Sequence, residues 1–249
     1  MMRVWKVLAC ILCVSSAVAH AEEDEFSIAP LVTLSGGVGF NSDAGASEYF
    51  TLGSSQLDYD AHHETKARGV WGLFLGGESE IADDFALQLG VSYYQTASYD
   101  ADGTLAQGFN SNSMAYYDYN YEIIARQILI ESKLLTQWHE DYRPYISLGL
   151  GAGINTAQEF SIDYLPSMAM THIYEDHTTT SFTYNVGIGV DVDLTDYLRL
   201  GVGYRFTDFG QVELGQGAYD QFEPTSISET LTQDHFYVQE ILVQLTIIK

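Results

Sequence analysis

The chain has 249 residues, with 34 acidic against 10 basic side chains and a formal net charge of −24. That balance excludes a nucleic-acid binder, which needs basic patches. Charged residues make up only 18% of the chain and aromatics 13%, so neither a disordered chain nor a charged helical bundle fits.

Residues 1–21 read as a secretory signal peptide. Arg3 and Lys6 precede the apolar run "VLACILCVSSAV" (7–18), and "AHA" (19–21) supplies a small-residue cleavage site. The run is too short for a comfortable membrane span. Reading "VLAC" (7–10) as a lipidation box leaves a very short apolar stretch before Cys10. Cleavage after Ala21 removes Cys10 and Cys13, so disulfide and thiol chemistry go with the leader. Loss of Arg3 and Lys6 leaves 8 bases against 34 acids, a mature charge of −26. Residues 22–26 are then expected as a periplasmic stub and 27–249 as one β domain.

Eight segments follow with a two-residue period: 27–39, 68–79, 85–97, 119–137, 143–156, 180–193, 197–209 and 234–248. In the third, Phe85, Leu87, Leu89, Val91 and Tyr93 alternate with Ala86, Gln88, Gly90 and Ser92. In the fifth, Ile146, Leu148, Leu150, Ala152 and Ile154 alternate with Ser147, Gly149, Gly151 and Gly153. The sixth and seventh, "GIGVDVDLTDYLRLGVGYRF" (187–206), set bulky apolar residues against glycines, aspartates and arginines. Short connections at 81–84, 138–141 and 194–196 alternate with long ones at 40–67, 98–118, 157–179 and 210–233. Short turns on one rim and long loops on the other are the pattern of an outer-membrane barrel, whereas a Greek-key sandwich distributes long connections over both ends. The expected fold is all-β, a transmembrane eight-stranded antiparallel up-and-down β-barrel with short periplasmic turns and four long extracellular loops.

Eight strands enclose room for side chains alone, so the small face belongs inside and the bulky face meets lipid. Aromatic girdles are expected from Tyr93, Tyr121, Phe182, Tyr204 and Phe236 near the loop rim, and from Phe85, Trp138 and Tyr197 near the turn rim. Glu78, Glu131, Lys133, Asp191, Arg199, Arg205 and Glu240 fall inside by parity. An unpaired charge there is costly, so a salt-bridged interior is expected, with Asp191 across from Arg199.

"PYISLGLGAGIN" (144–155), "NVGIGVDVDLTDYLRLGVGYRF" (185–206) and the closing "HFYVQEILVQLTIIK" (235–249) resemble the eight-stranded outer-membrane β-barrels of the OmpA/OmpX and opacity type. The resemblance runs from about Phe26 to Lys249. It implies a Gram-negative outer-membrane location and insertion by the barrel-assembly machinery. It also implies outer-membrane lipid and lipopolysaccharide as surroundings, and roles in envelope integrity, adhesion or interaction with a host or surface ligand. One departure stands out: such barrels commonly end in an aromatic residue, and this chain ends Ile247-Ile248-Lys249.

No catalytic, cofactor or metal site is expected. Lipid-modifying barrels need a histidine within reach of the hydroxyl it activates, and His62, His63, His139, His172, His177 and His235 show no His-x-Ser placement on a strand. "AHHE" (61–64) and "THIYEDH" (171–177) bring histidines and acids to one rim without compact ligand spacing. "LDYDAHHE" (57–64), "YYDYNYE" (116–122) and "IYEDH" (173–177) make the loops acidic and tyrosine-rich, a composition suited to recognition or to solvation. The expected role is structural or surface interaction. Two rivals are a narrow porin and a soluble lipocalin-like lipid binder, the latter with its apolar residues inside.

Overall fold

In the computed structural model the described residues are 27–52, 55–108, 114–139, 141–163, 172–219 and 230–249. The expected signal peptide (1–21) and stub (22–26) lie outside them. In chain order the strands are β1 (Ala29–Asn41), β2 (Glu48–Leu52), β3 (Ser55–Ala61), β4 (Lys66–Ala82), β5 (Phe85–Thr96), β6 (Tyr99–Gly108), β7 (Ala115–Thr136) and β8 (Tyr142–Asp163). They continue with β9 (His172–Ile173), β10 (His177–Thr195), β11 (Leu198–Asp208), β12 (Val212–Glu213), β13 (Ala218–Tyr219), β14 (Thr232–Gln233) and β15 (Tyr237–Ile248). No helix occurs among the described residues.

Eight strands close a ring in the order β1-β4-β5-β7-β8-β10-β11-β15, every pair antiparallel, with β15 returning to β1. Period-two side-chain alternation sorts each strand into two faces. On β8, Ile146, Leu148 and Leu150 point outward and are about half exposed, while Tyr145 is buried. On β10, Phe182, Val186 and Ile188 point out while Thr183, Asn185 and Asp191 are buried. The bulky stripe therefore lies outside and the small and polar stripe inside. This is the reverse of a lipocalin-like binder, whose apolar residues would fill the interior.

The wall does not stop where the loops were expected. β7 and β8 each run 22 residues, roughly 70 Å at about 3.3 Å per residue. Even tilted by about 40°, such strands overshoot an apolar band about 25 Å tall. β6 continues β5 along the upper half of β7, pairing Tyr99 with Ile123 through Gln107 with Ala115. β3 then pairs with β6, and β2 with β3. One side of the barrel thus rises past the membrane as a five-stranded crest, β2-β3-β6-β7-β8.

The inner face of the crest is a hydrophobic core. Tyr59, Tyr99, Tyr119, Leu57, Leu105 and Ile123 are fully buried there with Phe209, Leu214 and Phe236 from the last long connection. Tyr59 packs edge-on against Phe50, Tyr119 and Tyr174 with ring centroids 5.4–6.0 Å apart. Gly210 sits at φ 79°, a left-handed conformation that glycine adopts without strain. It turns the chain after β11 so that Phe209 drops into this core. The expectation of long loops at 40–67 and 98–118 is therefore corrected: much of both is strand, and of their tyrosines Tyr59 and Tyr99 are buried in this core while Tyr49 and Tyr116 face outward.

Candidate functional site

Two features could carry function: the charged lumen and the outer face of the crest. Inside, the charges stack in tiers. At the turn end, Arg199 Nη1 donates to Glu78 Oε2 at 2.8 Å and Arg199 Nε donates to Asp193 at 2.6 Å. Arg143 Nε donates to the same Asp193 at 2.6 Å, and Gln88 Nε2 to Glu78 at 2.7 Å. One tier higher, Lys133 Nζ donates to Asp191 at 2.7 Å and to Gln244 at 3.0 Å, and lies 3.7 Å from the centre of the Tyr145 ring. Above that, Arg205 Nε donates to Glu240, and its guanidinium rests 3.5 Å from the centre of the Tyr94 ring. Gly72 makes room for this stack, since a Cβ there would come within 2.0 Å of the Tyr94 ring. Tyr94 Oη donates a long bond, 3.5 Å, to Glu131 Oε1.

All seven charges assigned inside by parity point into the lumen, and one pairing differs from expectation. Asp191 does not face Arg199. The β10–β11 register slips between Asp193 and Thr195, which sets Asp193 opposite Arg199 and Asp191 opposite Gly201. Asp191 instead reaches across the lumen to Lys133 on β7. Arg143, Asp193, Tyr94 and Tyr145 complete the network, and sequence reasoning missed them. Parity on β8 and β10 was the signal available for Arg143 and Asp193.

The girdle residues Tyr93, Phe182, Tyr204, Phe85, Trp138 and Tyr197 point outward. Tyr121 and Phe236 are corrections, being 3% and 0% exposed in the crest core. Tyr121 shares parity with the lumenal Glu131 of its own strand, and Phe236, one residue ahead of β15, shares parity with Glu240, so a girdle position was excluded by the same count that placed those charges. The outward ring at the loop side is built instead with Trp71, tilted against Tyr93 at 5.4 Å between ring centroids, and with Tyr184, Phe206 and Tyr237.

On the outside of the crest, Asp58, Asp60, Asp100, Asp102, Asp118, Glu122 and Asp163 share one face. Across four strands Asp60, Thr104, Asp118 and Asp163 stand in register as one row. Tyr49 and Tyr116 project from the same face, 56% and 70% exposed. At its lower margin Lys66 pairs with Asp102, Arg68 with Asp100, and His62 Nδ1 lies 3.1 Å from Asp102. Asp58, Asp60, Asp118 and Asp163 make no ion pair among the described residues. Behind the face, burial pushes the Tyr59 and Tyr119 hydroxyls up, and desolvation pushes the Glu48 carboxyl up.

His63 lies 2.8 Å from Asp43 and His235 2.8 Å from Asp208. His139 sits in the turn before β8 and His177 begins β10. The His172 side chain, half of a conceivable mixed-loop zinc site with His62, lies outside the described residues. Among the described residues no group of three or more histidines and acids is placed to hold a metal ion.

The model of the outer membrane protein beta-barrel domain family matches residues 7–232. No curated protein matches the sequence. Among solved structures, Neisserial surface protein A (NspA) is similar at 10% identity and a TM-score of 0.42, with 88% of this chain and 96% of that chain covered. OprG from Pseudomonas aeruginosa is similar at 10% identity and a TM-score of 0.46, over 90% and 98%. Ail, the attachment invasion locus protein of Yersinia pestis, gives 10% identity and 0.37, over 88% and 98%.

Proposed function

Since the chain belongs to the outer membrane protein beta-barrel domain family, we propose that it serves in the outer membrane as a closed scaffold. Its crest docks the basic surface of a partner outside the cell. The observation that carries this reading is the row Asp60, Asp118, Asp163. Like charges directly opposite on neighbouring strands destabilise a sheet; Asp118 and Asp163 are such a pair, Asp60 stands one strand further along the same row beyond Thr104, and all three lie on an exposed face beside two exposed tyrosines. A lysine- or arginine-rich surface would neutralise the row, and Tyr49 and Tyr116 offer rigid contact area with little rotamer cost. The apolar band is proposed to meet lipid and lipopolysaccharide, with insertion by the barrel-assembly machinery. No catalytic set is assigned.

The test uses the refolded barrel in lipid nanodiscs and a fluorescent lysine-rich peptide. Saturable binding that weakens steeply with salt is expected. The Asp60→Asn/Asp118→Asn/Asp163→Asn variant should lose at least tenfold in affinity while keeping its heat-modifiable folded form. Equal binding by wild type and variant would overturn the docking face. In planar bilayers the plugged lumen should give no sustained conductance, and steady single-channel steps would favour the narrow porin instead.

A further inference from the structure

Among the described residues, Arg126 is the one arginine without an ion pair. Arg68, Arg143, Arg199 and Arg205 are each bonded to a carboxylate. Arg126 also lies on the outside of the wall. Its neighbours on β7, Ala125 and Gln127, are buried, whereas Ile128 and Ile130, which share its face, are exposed. An arginine on the lipid side of a barrel is costly at mid-depth and tolerated near the interface.

The register places Arg126 at that interface. Trp71, Gln95, Arg126, Ile154 and Thr180 stand in one row across β4, β5, β7, β8 and β10. Gln95 is the last outward residue of β5, and the outward residues below it, Tyr93, Val91, Leu89, Leu87 and Phe85, are all apolar or aromatic. From Phe85 to Gln95 the strand rises roughly 25 Å if tilted by about 40°, at about 3.3 Å per residue, which is the height of the apolar band. Above the row the outward residues turn polar, with Thr156 on β8 and Thr178 on β10. The row marks the headgroup level of the outer leaflet.

The groups gathered there are donors. Arg126 Nη1 donates to Thr156 Oγ1 at 3.3 Å, and Thr156 Oγ1 lies 3.0 Å from Thr178 Oγ1. Whichever of those two hydroxyls donates to the other, one hydroxyl proton is left over. A guanidinium carries five N–H donors, and the bond to Thr156 is the one its side chain makes among the described residues. Gln95, directly opposite, accepts from Tyr93 Oη at 2.8 Å, and its amide N–H groups have no partner among the described residues. Glu122, the next outward acid on β7, stands beyond Ile124 and accepts from Ser98 Oγ at 2.7 Å. A planar guanidinium flanked by an amide and a hydroxyl matches the oxygens of a phosphate. A chain with a net charge of −24 repels an anion at long range, so an anion is held here by contact alone.

We propose that Arg126, with Gln95 and the Thr156–Thr178 pair, binds the phosphate of an outer-leaflet lipid whose acyl chains lie along Ile128, Ile130 and Phe182. The apolar stripe directly below the donors selects a phosphorylated lipid over free phosphate, which has no chains to place there. The inference rests on the reading that the apolar band meets lipid and is independent of the acidic docking face.

The test titrates the refolded full chain, in maltoside micelles that contain no phosphate, with lipid A and with lipid A stripped of its phosphates. Native mass spectrometry reads the bound lipid. One lipid A is expected to bind about tenfold more tightly than the stripped form, the size of one charge-assisted hydrogen bond. Arg126→Gln should abolish the preference and Thr178→Val should reduce it, both with the heat-modifiable band retained. Lys249→Gln, which removes a cation at the turn end, should leave it unchanged. Equal binding of the two lipids by wild type, or a preference that Arg126→Gln retains, overturns the site. If Arg126→Gln does not fold, an undiminished preference in Thr178→Val overturns it. Loss of the preference on chelation would assign the phosphate to a divalent cation on the crest acids, and displacement by inorganic phosphate would assign the site to a free anion; either result overturns the proposal. A wild type that inserts into no lipid vesicle overturns the lipid-facing wall itself, and this site with it.

Discussion

Arg205→Ala is expected to cost about 3–5 kcal/mol of barrel stability, the usual penalty for removing one partner of a buried ion pair. Arg205 is 4% exposed and Glu240 0%, so the substitution strands a carboxylate where water cannot reach it. It also removes the cation stacked on Tyr94, a contact worth up to roughly 2 kcal/mol when desolvated. The loss should appear as a lower urea midpoint for the heat-modifiable folded band in detergent. It should shrink as pH falls, because protonation of the orphaned Glu240 relieves the unpaired charge. Replacing both partners by apolar residues, Arg205→Met with Glu240→Leu, should recover most of the loss, since no buried charge is then left without a partner. A single variant as stable as wild type would mean that Glu240 is solvated and the lumen is wet.

Tyr59→Ala is expected to melt the crest while leaving the ring intact. The side chain is 1% exposed and packs edge-on against Phe50, Tyr119 and Tyr174. Large-aromatic deletions of this kind cost about 3–5 kcal/mol. The crest has its own core above the polar tiers, so the cost falls on local opening more than on the barrel. Protease added outside vesicles should then cut within residues 42–65 and 97–114 far faster than in wild type, and the core barrel fragment should remain heat-modifiable. Loss of the folded barrel band together with crest cleavage would show that the two cores unfold as one.

The ring was legible in the sequence because period-two alternation forces a face assignment on every strand, and alternating connection lengths put the long segments on one rim. The crest was less so, although its signal was present. Leu57, Tyr59 and Ala61 alternate with Asp58 and Asp60, and Tyr119 and Tyr121 alternate with Asp118 and Asn120. The acids drew the reading toward solvated loops, yet each acid marks the outer face of a strand whose inner face is aromatic. Tyr121 and Phe236 were misplaced for a related reason, aromatic type having been allowed to outweigh parity. The cross-lumen partners were out of reach. Lys133 and Asp191 are 58 residues apart, and Arg199 and Glu78 are 121 apart. Neither separation follows from strand order without the barrel's tilt, and the slip at Asp193 that redirects Arg199 leaves no local mark.

The account depends on hydrocarbon contacting one side-chain stripe and the lumen enclosing the other. Spin labels attached to single cysteines placed from Asn185 to Val190 on β10 and from Leu200 to Phe206 on β11, in vesicles, read this directly through collision with oxygen and with a water-soluble nickel complex. Labels at Val186, Ile188, Val202 and Tyr204 should be open to oxygen, and labels at Asn185, Gly187, Gly201 and Gly203 should be shielded from both, with a strict two-residue period. A flat profile, or oxygen access at the glycine positions and shielding at the valines and isoleucine, would contradict it.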